Sequence, residues 1–369
     1  MFLLEFEGKE LFRKYGIATP KSEVIKRDEA LDYKPKLDYP FVVKGQYPSG
    51  GRGKAGAIRV VKSENEYEEA VKGVLNTKVG GRYPDYLLLE EFIPHDKEYY
   101  LGMIISRFDR KFIILASQFG GVDVEELATK PGGLLKIEVD PLVGLSHHQL
   151  RNISLYMLGT VDKNLMELVT NLYNLFVSEE LLMTEINPLV LLDRPIALDS
   201  KVLIDENSSV RKDLTRYSSY TLMLSEGERL AREYGFSYVP LDGDIAIIGN
   251  GAGLVMATMD LVDYYGGKAG CFLDIGGGAR PERVSKAIEL VLKELNIKAI
   301  FLNIFAGITR CDEVAKGILE QTKNIRQKGV KVVIRMVGTN EEAGRKMLEE
   351  AGYRVFTDMD DAAKEVVKA

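Results

Sequence analysis

From Asp244 to the end of the chain, short apolar runs alternate five times with amphipathic stretches, and this rhythm constrains the possible fold more than any other feature. The apolar runs are Ile245–Gly249, Ala269–Ile275, Ala299–Phe305, Val332–Val337 and Tyr353–Phe356. Helix-period segments follow each of them, at Leu254–Tyr265, Glu282–Leu295, Glu313–Lys328, Glu341–Ala351 and Ala362–Lys368. Strands that are apolar on both faces need helices on both sides, so the pattern predicts an α/β domain with a doubly wound parallel sheet. In such sheets ligands gather beyond the carboxyl ends of the strands. Three glycine-rich turns fall there: Gly249-Asn250-Gly251-Ala252-Gly253, Gly276-Gly277-Gly278 and Ala306-Gly307-Ile308-Thr309-Arg310. Each opens a helix whose free amides and dipole favour an anion. Asp274 stands where a dinucleotide fold keeps its ribose-binding acid, but Met256 occupies the place of the third glycine. Cys271 and Cys311 flank these turns and read as buried, unreactive thiols.

The first half is less regular. Helices are expected at Glu5–Tyr15, Glu64–Leu75, Gln149–Leu158 and Asp162–Phe176, with strands at Tyr86–Glu90, Tyr99–Ser106 and Lys111–Ser117 and a hairpin over Leu181–Ile204. This mixture predicts an antiparallel-rich α+β domain over 1–235, ending in polar linking chain at 206–235, with the parallel-sheet domain at 236–369. Near its start, strands Pro40–Lys44 and Ala57–Val61 flank Pro48-Ser49-Gly50-Gly51-Arg52-Gly53-Lys54-Ala55-Gly56. Glycines let backbone amides approach a ligand closely, and Lys44, Arg52 and Lys54 add positive charge, as a flap over polyphosphate requires. It is not a Walker loop, because Ala55 replaces the hydroxyl that would hold Mg²⁺. A solvated cationic hairpin is the competing reading.

A net charge of −6 gives no electrostatic case for nucleic acid or an anionic membrane, and no apolar run is long enough to span a bilayer. Two distant cysteines and an acidic N-terminus predict a cytoplasmic protein without a signal peptide. In the hairpin, Glu185 and Asn187 share one strand face. A turn at Asp193-Arg194-Pro195 would set Leu189 opposite Asp199, making Asp199 a diagonal neighbour of Asn187. A carboxylate and an amide oxygen suit Mg²⁺, which takes few protein ligands; a polar hairpin edge is the alternative. Glu90 ends an apolar strand where adenosine groups would be met. The three histidines are His95 and the tandem His147-His148, and none is framed by glycines as a phosphate-carrying histidine would be.

Several motifs together resemble the β-subunit family of succinyl-CoA synthetases, ADP- or GDP-forming acid–thiol ligases. They include Gly8-Lys9-Glu10-Leu11-Phe12, Gly50 to Gly56, Lys97 to Gly102 and Glu185 to Val190. They continue through Asn250 to Leu254, Phe272 to Ala279, Asn303-Ile304-Phe305 and Arg310-Cys311-Asp312. The resemblance implies an ATP-grasp domain with a lid subdomain near 20–100, then a flavodoxin-like CoA-ligase domain. It implies nucleotide contacts (ATP/ADP or GTP/GDP) from Lys44, Gly51, Arg52, Gly53, Glu90, Ile93 and Glu98, and Mg²⁺ ligands Asn187 and Asp199. Glu185 would steady a phosphohistidine, while Asn250, Gly307, Ile308 and Thr309 would hold succinate or a related dicarboxylic acid. The phosphohistidine and the CoA site would belong to a partner α subunit. Pro48-Ser49, Ile93, Ser200 and Ala306 to Thr309 depart from common family residues; related malate–CoA ligases also vary in the last of these loops, so a malate–CoA ligase subunit stays open as an alternative. Two readings also remain: an ATP-grasp carboxylate–amine ligase, and a noncatalytic nucleotide- or NAD-binding subunit.

Overall fold

The computed structural model describes residues 1–48, 51–222 and 224–369. Ser49 and Gly50 of the glycine-rich loop therefore lie outside the described residues. The chain divides into two compact units, Met1–Met223 and Leu224–Ala369.

The first unit opens with α1 (Glu5–Lys14), β1 (Ser22–Lys26), β2 (Phe41–Gln46), β3 (Ile58–Val61), α2 (Glu64–Leu75) and β4 (Tyr86–Glu91). The strands pair antiparallel in the order β1-β4-β2-β3. Val43, Leu87 and Leu89 meet Val71 and Val74 of α2 in a separate small core. Next come β5 (Tyr99–Ser106), β6 (Lys111–Ser117), α3 (Val124–Thr129), β7 (Leu135–Val139), α4 (His147–Leu158) and α5 (Lys163–Ser178), then β8 (Leu181–Leu191), β9 (Pro195–Ala197) and β10 (Lys201–Ile204). They form a second antiparallel sheet, β10-β8-β5-β6-β7, with β9 on β8. Leu165, Val169, Leu172 and Phe176 recur at helical spacing on α5, giving the stripe that buries against it. A 3₁₀ turn at Glu206–Val210 and α6 (Ser218–Leu222) complete the unit. The expectation of linking chain is corrected here. Leu214 and Tyr217 enter the first core, and the Ser219 hydroxyl donates to Glu7 at 2.7 Å.

The second unit starts with α7 (Glu226–Glu233), also inside the supposed linker, whose Ala231 is buried in this unit's core. It continues with β11 (Ser237–Pro240), β12 (Ile245–Gly249), α8 (Ala252–Tyr264), β13 (Ala269–Asp274), α9 (Pro281–Glu294), β14 (Ala299–Ala306), α10 (Cys311–Glu320) and α11 (Thr322–Lys328). It ends with β15 (Lys331–Gly338), α12 (Glu341–Glu350), β16 (Val355–Phe356) and α13 (Met359–Val366). The parallel order β13-β12-β14-β15-β16 is flavodoxin-like. Alternate residues feed two cores: Ile300, Leu302 and Ile304 enter one, Ala299 and Phe301 the other. Two details differ from expectation. The unanticipated β11 adds antiparallel to the β13 edge. The single helix expected over Glu313–Lys328 is two, with Gln321 between them turning inward to donate to Ser285 at 2.8 Å. Among the described residues no helix is long and apolar enough to cross a membrane.

Candidate functional site

Strand β8 carries the carboxylate and amide singled out in the sequence, and its partners set their surroundings. The observed register is Leu189↔Ala197 and Val190↔Ile196, so Leu189 does not face Asp199 as expected. The turn is Leu192 to Arg194, because Pro195 already pairs with Leu191. Beyond a break, Glu185 pairs with Lys201, the same register sum. Asn187 therefore lies across from Asp199 rather than diagonal to it. Both line a cleft of about 530 Å³, together with Glu185, Gly51, Arg52 and Gly53.

Behind this cleft sits a cluster of buried charges. On β2 and β4, Val42 faces Glu90, which makes Lys44 a diagonal neighbour of Glu90 on one sheet face. The Lys44 ammonium lies 2.5 Å from Glu90, and it donates to Glu5 at 2.8 Å and to the Leu198 carbonyl at 2.8 Å. Arg52 donates to Glu5 and, at 2.5 Å, to Asp199. Burial alone would raise the Glu5 pKa, but Arg52, Lys44 and Lys9 together hold it well below the usual carboxylate range. Burial works against the charge on Lys44, yet Glu5, Glu90 and Asp199 raise its pKa. Sequence reasoning missed Glu5 and Lys9. The available signal was their spacing, which puts both on the α1 stripe that also holds Gly8 and Phe12, all buried. Ser200, a departure from common family residues, hooks α1 to this place by donating its hydroxyl to the Glu5 carbonyl at 2.8 Å.

The flap is a tight turn. The amides of Ala55, Gly56 and Ala57 bond to the carbonyls of Gly51, Gly53 and Arg52, so amide donation to a ligand falls to the stretch before Ala55. Lys54 pairs instead with Asp123 at the surface. Asn187 Oδ1 accepts from Gly121 N at 2.8 Å while its Nδ2 donates to the Val122 carbonyl. Burial raises the Glu185 pKa, helped by Asp199 and Glu125 and opposed by Lys201. Glu98 abuts the same loop, since a Cβ on Gly121 would lie 2.1 Å from its carboxylate. His95 joins Glu98 (3.0 Å) to the Ile93 carbonyl (2.7 Å), so the Ile93 backbone is already engaged by His95. Among the described residues no cluster of three or more His, Cys, Asp or Glu could hold a metal ion. The donor pair facing the cleft, one amide oxygen and one carboxylate, fits Mg²⁺, which completes its shell with phosphate and water.

In the second unit the β12 and β14 ends form the switch point of the parallel sheet. Asn250 brackets the Phe305 peptide there, donating to its carbonyl and accepting from its N–H, both at 2.9 Å. The Thr309 hydroxyl accepts from Gly278 N at 2.9 Å and from the Asn250 amide at 3.3 Å, so three loops meet on it. The helix ends are not equivalent. Asp312 and Glu313 already complement the α10 N-terminus and Glu282 that of α9, whereas the first turn of α8 carries no acid. Asp274 accepts from Gly276 N at 2.8 Å and so serves its own turn. Both cysteines are buried, and burial pushes their thiols up to about 12 for Cys271 and about 11 for Cys311.

Known proteins give the same partition. Residues 2–191 match a family model described as an ATP-grasp domain, and 248–369 one described as CoA-ligase. The chain is 43% identical to the succinate–CoA ligase [ADP-forming] subunit beta of Staphylothermus marinus, over 100% of this chain and 98% of that protein. It is 42% identical to that of Ignicoccus hospitalis (100% and 99%) and 38% identical to that of Bacillus pumilus (100% and 99%). In fold it resembles an ATP citrate lyase from Methanothrix soehngenii, solved with citrate and coenzyme A. The TM-score is 0.77 at 18% identity, covering 100% of this chain and 99% of that one.

Proposed function

Because this chain belongs to the family of succinate–CoA ligase [ADP-forming] beta subunits, we propose that it is the nucleotide- and acid-binding half of a reversible acid–CoA ligase. The observation that carries the reading is the convergence of Arg52 and the Asn187–Asp199 donor pair on one cleft, with Lys44 behind it joined through Glu5, which lines the cleft. Lys44 and Arg52 would release their carboxylates to meet the phosphates of ATP, with the Gly51 to Gly53 backbone closing over them. Glu90, Ile93 and Glu98 would hold the nucleoside end. Asn187 and Asp199 would hold Mg²⁺, which when bound neutralises charge on the transferring phosphoryl group. Positioning and charge neutralisation are most of what phosphoryl transfer asks of a protein.

The phosphoryl acceptor would be a histidine of the partner α subunit, steadied by Glu185. Succinate, or a related dicarboxylic acid, would sit against Asn250, Gly307, Ile308 and Thr309, where it would take the phosphoryl from the phosphohistidine to become an acyl phosphate; CoA thiol would then attack the acyl carbon and displace inorganic phosphate. A cytoplasmic location is part of this proposal.

Reconstitution with the α subunit tests it. Succinate-dependent ADP formation should appear, and Asp199→Ala should abolish phosphorylation of the partner with the fold intact. Normal phosphorylation in that variant would refute the metal assignment. Turnover with malate but not succinate would assign the complex to the malate–CoA ligases.

A further inference from the structure

Lys9 lies on α1, four residues after Glu5, and its side chain has no solvent exposure. Its ammonium has three protons and meets three acceptors: Glu5 at 2.8 Å, Glu90 at 2.5 Å and the Leu198 carbonyl at 2.7 Å. Lys44 bonds to the same three groups. Arg52 takes the other oxygen of Glu5 and bridges to Asp199. Three cations, Lys9, Lys44 and Arg52, thus balance three carboxylates, Glu5, Glu90 and Asp199. Only two of the cations can serve a ligand. The side chains of Lys44 and Arg52 are each 10% exposed, and that of Lys9 is sealed. Burial pulls the Lys9 pKa below the usual lysine value, while Glu5 and Glu90 pull it back.

On the nucleotide reading, a polyphosphate in the cleft would draw Lys44 off Glu5 and Glu90, and Arg52 off Glu5 and Asp199. The Glu5 and Glu90 carboxylates are 0% and 2% exposed, and a buried charge stripped of its partner is strongly disfavoured. We infer that Lys9 is a positioning residue for nucleotide binding: the standing counter-ion that stays on Glu5 and Glu90 and holds them in place while Lys44 and Arg52 turn to the phosphates. Through Leu198 it also fixes the backbone beside Asp199, so one ammonium sets the span between the nucleoside and metal ends. The inference rests on the nucleotide site proposed above. It adds a residue that touches no substrate.

Calorimetry of MgADP on the full-length chain tests it with Lys9→Met, Glu5→Gln and the double variant. Lys9→Met should weaken binding by about tenfold or more, through the uncompensated carboxylates. The double variant, with one carboxylate neutralised, should bind tighter than Lys9→Met alone by about threefold or more. A merely structural lysine predicts the opposite, an additive further loss. Unchanged affinity in Lys9→Met, or a double variant weaker than the single, overturns the inference. If Lys9→Met does not fold, the double variant against Glu5→Gln reads the same coupling: a loss within about threefold supports it, and tenfold or more contradicts it. No MgADP binding by the wild-type chain would instead sink the parent nucleotide reading.

Discussion

Glu179 caps the end of α5 with a side chain only 4% exposed, receiving Lys14 at 2.7 Å, Tyr15 at 2.8 Å and Lys212 at 3.2 Å. Burial alone would raise its pKa, but these donors hold it at about 2. An unfolded glutamate titrates near about 4.3, so the shift stabilises the fold by about 3 kcal/mol at neutral pH. A depressed pKa gives stability that is present above the unfolded value and lost as pH falls through the folded one. Glu179→Gln should therefore lower the first unit's unfolding free energy by about 2–3 kcal/mol at pH 7, with the gap closing between about pH 5 and 2. Melting curves across pH check this, and a pH-independent gap would contradict it. For the nucleotide site, Lys44→Ala should weaken MgATP binding by about 1.5–3 kcal/mol, the worth of a charged hydrogen bond, as read by calorimetry. Lys44 and Arg52 were legible from the glycine-rich loop and its flanking strand. Glu5 and Lys9 were not, because a charged pair in an amphipathic helix ordinarily reads as solvated surface. Partners brought from distant chain, Lys44, Arg52 and Glu90, make burial tolerable.

At the scale of elements, most strands and helices were legible because their periodicity is strong. β5, β6, β12 and α2 run where the apolar pattern puts them. The β8–β9 register was not, because it depends on whether Pro195 belongs to the turn or the ladder, and pattern alone does not distinguish these. The failure was informative: the true register brings Asn187 and Asp199 closer to facing than the expected one. The helix break at Gln321 was hidden too, since its cause is a tertiary hydrogen bond to α9. Helices α9, α10 and α12 pack through glycines. A Cβ on Gly317 would lie 2.4 Å from the Pro281 carbonyl oxygen, and one on Gly344 2.6 Å from that of Cys311. Gly317→Ala should thus destabilise the second unit by about 1–3 kcal/mol despite its better helix propensity, because overpacking against backbone forces the helices apart. A denaturant titration showing equal or greater stability would contradict that packing account.

For the whole molecule, the division of labour follows from what each unit lacks. The first unit gathers cations and hard oxygens around a cleft, and the second gathers loops at a parallel-sheet switch point. None of the three histidines has the setting of a phosphate carrier. His147 and His148 are exposed in the first turn of α4, and His95 is engaged with Ile93 and Glu98. The central claim is that this chain holds MgATP but relies on a partner to carry the phosphoryl group. Its most direct test is incubation of the full-length chain with ATP labelled in the γ-phosphate, alone and with the partner α subunit, followed by locating the label. The account predicts no label on this chain in either case, and acid-labile label on a partner histidine only when both are present. Stable label on this chain, or complete acid–CoA ligase turnover without the partner, would contradict it.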